Sequence, residues 1–153
     1  MKKETVIILT KYLLDFMYFS GIAVTVLLPV PGLLEKVMDF LDFHDFEGRY
    51  TELIVIYFVL GILAVLILGE LRKMFRTVLR DDCFVKDNVV SLQRMGTYSF
   101  MIAAIGVVRT VLYMTTAMLV LVLVFVIAGL FSKVLAFVFD RAVEYKLEND
   151  LTI

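Results

Sequence analysis

The chain has 153 residues, 61% of them hydrophobic and 20% charged, with a net charge of −1. Soluble domains run about 45–50% apolar, so an ordinary soluble domain is excluded. The near-neutral balance excludes bulk electrostatic attraction to nucleic acid or to anionic substrates. Four apolar runs account for the excess: Thr5–Leu28, Leu53–Leu68, Tyr98–Tyr113 and Met118–Phe139. Crossing hydrocarbon takes about 20 residues. A single transmembrane domain over residues 1–153 is therefore expected.

The first run, 5–28, follows Lys2 and Lys3. Lys11 and Asp15 interrupt it and no small-x-small cleavage site follows, so it is predicted to be a retained helix rather than a signal peptide. Pro29 and Pro31-Gly32 end it, because proline lacks the amide donor and disfavours helix just before its ring. The loop to Glu52 is acidic, with Glu35, Asp39, Asp42, Asp45 and Glu47 against Lys36 and Arg49. Leu33, Leu34, Val37, Met38 and Leu41 within it recur at helical spacing and predict a short amphipathic surface helix.

The second membrane helix is predicted over 53–70. It continues past the apolar run, since Glu70–Leu79 contains helix formers and no breaker. The connection 70–96 carries Arg72, Lys73, Arg76, Arg80, Lys86 and Arg94. Asp87-Asn88 offers an N-cap for a helix over Val89–Met95 that leads into the third span, 96–113. The stretch from Tyr98 to Phe139 would be roughly 60 Å long as one helix, twice the hydrocarbon thickness. It must fold back. The least apolar point, Arg109–Thr116, places a tight turn there, with the fourth span at 118–139 and a tail at 140–153.

Most basic residues fall on one side of this layout, against Lys36 and Arg49 on the other, so the positive-inside rule puts both ends and the middle connection in the cytoplasm. The predicted fold is an all-α integral membrane bundle of four transmembrane helices, N-in and C-in. The lone cysteine, Cys83, then faces a reducing compartment.

Charges inside the apolar runs need partners, water or a route to the interface. Asp15 lies roughly 15 Å and Lys133 roughly 9 Å from the cytoplasmic ends of their helices, a difference that a lysine side chain spans. The two residues predict a charge pair joining the first and last helices, with Lys11, one turn from Asp15, snorkelling or sharing the carboxylate. Such a pair is read either as a packing clamp or as a proton or ion site. Arg109, near the outer end of the third span, is expected to reach Asp39, Asp42 or Asp45 as an outer clamp.

Motifs for chemistry are sparse. Asp42, His44, Asp45 and Glu47 lack regular ligand spacing and read as a solvated acidic loop, so no metal site is assigned. Cys83 has neither a neighbouring histidine nor a CxxC partner. There is no P-loop, nucleophile elbow, zincin or dinucleotide signature. Neither an enzyme nor a cofactor is expected. Gly61 with Ala64, and Ala103 with Gly106, are positions for close helix approach. Asp140, Glu144 and Glu148 share one helix face after the last span and, with Asp150 in the same tail, are candidate partner-docking residues.

Two segments carry a resemblance. One runs from Cys83-Phe84 through Asn88 and Leu92-Gln93-Arg94 to Met95-Gly96. The other is the tail, ending Glu148-Asn149-Asp150-Leu151-Thr152-Ile153. With the four-helix layout they resemble the YoaS-like family of small bacterial membrane proteins of unknown function. That family carries Pro-Phe-x-x-x-Asn-x-x-x-Leu-Arg-x-Ile-Gly before its third helix and a Glu-x-Asp-Leu-Thr-hydrophobic end. Here Cys83 stands at the proline position and Gln93 splits the Leu-Arg pair. The resemblance implies a bacterial cytoplasmic-membrane protein, with genes often beside a small helix-turn-helix transcription regulator. It implies no catalytic residues. A non-enzymatic regulator or adaptor is the leading expectation; a small transport, export or immunity-type protein using Asp15 and Lys133 is the alternative.

Overall fold

A computed structural model describes residues 3–30, 32, 36, 50–80, 82–112 and 116–151. Four helices account for nearly all of them: α1 (Lys3–Leu27), α2 (Tyr50–Val78), α3 (Lys86–Leu112) and α4 (Thr116–Leu151). The architecture is all-α. Three helices are long and apolar enough to cross a membrane, over Thr5–Leu27, Ile54–Val78 and Thr116–Asn149. These three mark a multi-pass membrane protein. The amphipathic segment expected at 33–41 and the acidic cluster at 42–47 lie outside the described residues, Lys36 apart.

The helices pack in chain order: α1 on α2, α2 on α3, α3 on α4. Inside hydrocarbon the hydrophobic effect does not drive helices together, so close approach depends on small residues. Gly61 of α2 lies under Thr25 of α1, where an added Cβ would come 2.7 Å from the threonine Oγ1. Gly106 of α3 lies under Val122 of α4, where a Cβ would come 2.6 Å from Cγ2. Gly96 faces the Gly129 carbonyl oxygen, and Phe100 covers Gly129. These contacts set α3 and α4 antiparallel along most of α3.

Toward the charged end of the molecule the packing changes character. Val89, Leu92, Ala136 and Val143 form a buried cluster with Met74, Leu135 and Phe139 against it. This apolar cluster joins α2, α3 and α4. Exposed apolar side chains cover the rest of α1 and α4, including Phe16, Phe19, Val120, Leu123, Phe131 and Phe137. That is the pattern of lipid-facing helices.

α2 runs on to Val78 because no helix breaker follows Leu68. Its end is closed by Arg80 and Asp82 backbone amides, both donating to the Thr77 carbonyl at 3.1 Å. α3 starts at Lys86, earlier than an Asn88 cap would allow. Asn88 sits in its first turn instead. Its Nδ2 donates to Thr77 Oγ1 (2.6 Å) and to the Cys83 carbonyl (2.7 Å), which ties the connection to α2. α3 ends at Leu112 and α4 begins at Thr116; the tight turn expected between them lies largely outside the described residues.

Candidate functional site: the polar layer and the charged end

Three polar links join the four helices in turn. Asp15 of α1 accepts from Arg72 Nε of α2 at 2.6 Å. The same guanidinium stacks over Tyr18 at 4.5 Å and lies 5.1 Å from the Phe19 ring centre. Next, Glu70 of α2 is buried, 6% exposed. Its Oε2 accepts from Ser91 Oγ of α3 at 2.7 Å. Its Oε1 accepts from Lys73 at 3.0 Å and from Arg94 of α3 at 3.3 Å. Finally, Lys133 of α4 donates to the Gln93 carbonyl (2.9 Å) and to Thr97 Oγ1 (3.0 Å) of α3.

Asp15 and Lys133 are therefore not brought together. α1 packs on α2 while α4 packs on α3, so comparable depth along the helix axes does not make the two residues neighbours. Asp15 takes its charge partner from the first turn past the α2 apolar run. Lys11 forms no ion pair with Asp15; it lines a cleft beside Arg72 and Arg76. Arg109 does not snorkel outward. It is 6% exposed, with its guanidinium 4.8 Å from the Tyr57 ring centre on α2. The acidic residues expected to clamp it lie outside the described residues.

The charged end is more ordered than a solvated helix tail. Lys86 of α3 donates to Asp140 of α4 at 2.5 Å. That hydrogen bond and the Asp140 charge hold the Lys86 ammonium above its ordinary pKa. Lys146 donates to Asp82 at 2.8 Å, and Phe84 meets Phe139 with ring centres 5.3 Å apart. The connection and the tail thus share one surface. Asp140 is part of the clasp that holds them, not a free member of a docking stripe. Glu144 and Glu148 are exposed, as are Tyr145, Leu147 and Leu151. The Asp150 side chain lies outside the described residues.

Glu70 was not among the residues singled out from the sequence. Its signal was present: it is the one acidic residue between Leu53 and Arg80. A lone carboxylate at the foot of an apolar run needs donors, and three converge on it.

The sequence stretch 83–96 now has a physical account. Asn88 ties the connection to α2, Ser91 and Arg94 hold Glu70, Leu92 enters the buried cluster, and Gly96 admits α4. The profile of the DUF2975 family, proteins of unknown function, matches residues 28–153. The chain belongs to that family. No curated protein and no solved structure matches it.

Proposed function

We propose that the protein is a non-enzymatic membrane adaptor of the bacterial cytoplasmic membrane. Its working surface is the cytoplasmic face built from the connection and the α4 tail. The observation that carries this reading is the meeting of two distant segments, 82–86 and 139–146, through two ion pairs and a ring contact. Exposed ion pairs contribute little to stability, so a shaped surface is the better account of this arrangement.

The reading includes a fourth span. α3 lies antiparallel along α4 from Lys86 beside Asp140 to Gly106 beside Val122, so α3 shares the depth of a helix that crosses. Four spans and the basic connection put both ends in the cytoplasm. The YoaS-like resemblance supplies the partner class, a small helix-turn-helix transcription regulator. Glu144 offers an acidic group, and Tyr145 and Leu147 offer apolar contact, to such a basic protein. The transport alternative rested on an Asp15–Lys133 pair and has lost that support.

A chain ending at Val143 tests the docking. Full-length protein in membranes is expected to retain a purified regulator from the neighbouring gene, and the truncated chain to lose about 80% of it (roughly the effect of about 1 kcal/mol well below half-saturation). Equal retention by both chains would end the tail-docking reading.

A further inference from the structure

We propose that the cleft between α1 and the C-terminal half of α2 holds the headgroup of an anionic phospholipid. The cleft has a volume of about 240 Å³. Four cations line it, Lys11, Arg72, Arg76 and Arg80, against one carboxylate, Asp15. Asp15 neutralises Arg72 directly. Lys11, Arg76 and Arg80 are exposed and have no ion-pair partner among the described residues. Elsewhere Lys73, Lys86, Arg94 and Lys146 all have carboxylate partners. Arg109, Lys133 and Arg141 also lack a carboxylate partner among the described residues, but each stands singly; at this cleft three unpaired cations are gathered from two different helices. The positive-inside rule accounts for basic residues along α2, but not for Lys11 converging on them from α1.

Depth selects a lipid. The apolar run of α4 ends at Phe139, next to the Lys86–Asp140 pair. Half a turn into α3, Asn88 meets Thr77, which sets Arg76 near that level. Asp15 meets Arg72, so one turn along each antiparallel helix places Lys11 near Arg76. The cleft thus opens where hydrocarbon gives way to phosphate. Leu14, Phe75 and Leu79 supply apolar wall beside the cations. A phosphodiester with a glycerol stem fits that mixture; a protein segment would have to enter the headgroup layer to reach it. This inference does not depend on the partner-docking surface, which uses other residues.

The test offers the full chain in detergent phosphatidylglycerol or phosphatidylcholine and counts retained lipid by native mass spectrometry. Phosphatidylglycerol is expected to be retained over phosphatidylcholine. The triple variant Lys11→Gln, Arg76→Gln, Arg80→Gln is expected to lower that retention roughly tenfold or more, since each basic residue near an anionic surface contributes several-fold. These side chains are exposed and unpaired, so the fold does not depend on them; the single Arg76→Gln variant should show a smaller loss. A control triple, Lys86→Gln, Arg141→Gln, Lys146→Gln, removes equal charge outside the cleft and should retain the lipid. Undiminished retention by the cleft variant, equal loss in the control, or equal retention of phosphatidylcholine would overturn the proposal. So would displacement of the lipid by millimolar inorganic phosphate, which would assign the cleft to a soluble anion.

Discussion

Glu70→Lys is expected to prevent accumulation of folded protein, with a destabilisation of at least about 4 kcal/mol. The position is 6% exposed and already receives Lys73, Arg94 and Ser91. A third cation there has no carboxylate to neutralise it and repels two neighbours. Glu70→Gln is the informative companion. It keeps an acceptor for the Ser91 hydroxyl and loses the charge-assisted bonds to Lys73 and Arg94. Those cations are about half exposed, so they recover water, and the cost should be nearer 1–2 kcal/mol. Unfolding in mixed micelles of rising SDS content measures both. Two variants of equal stability would mean that the carboxylate does not hold α2 to α3.

Gly129→Leu is expected to break the α3–α4 contact, and Phe100→Ala in the same chain to restore much of it. A Cβ at residue 129 would lie 2.9 Å from Phe100 Cε1 and 3.1 Å from Cδ1 and Cζ. The ring rests on the glycine backbone, so any side chain must displace it. Overpacking of this kind costs about 1–3 kcal/mol. Residues in contact couple, so the double-mutant cycle should depart from additivity by about 1 kcal/mol or more. Additive effects in the same SDS titration would show that the two residues do not touch.

Much of the helical layout was legible because it follows from local signals. Pro29 and Pro31-Gly32 stop α1, and Glu70–Leu79 offers nothing to stop α2. Hydrocarbon thickness forbids one helix from Tyr98 to Phe139. Neighbour relations were not legible. Rise per residue gives the height of Asp15 and Lys133 along their helices, but neither the direction each faces nor which helix stands beside it. Arg72 looked like a topology signal because it follows the apolar run; in space it is the Asp15 partner. Arg109 was expected to reach the acidic first loop, yet its guanidinium lies over the Tyr57 ring of α2. The acidic stripe was read along one helix. The structure shows that Asp140 is held by Lys86, a residue 54 positions away, which no spacing rule on α4 reveals.

These misses share a cause. Each involves a charged group whose partner is set by packing between helices rather than by sequence distance. Small residues decide that packing inside the membrane, and glycines carry no chemical label of the side chain they will face. The stretch 83–96 combines both effects: polar residues for Glu70 and the connection, and Gly96 for α4.

The joined surface of connection and tail is proposed to face the cytoplasm. Glu144→Cys in a Cys83→Ser chain places the only thiol on that surface at an exposed position. A membrane-impermeant maleimide should then label inverted membrane vesicles and leave intact cells unlabelled until they are permeabilised. Labelling of intact cells, with inverted vesicles protected, would put the surface outside and contradict the account.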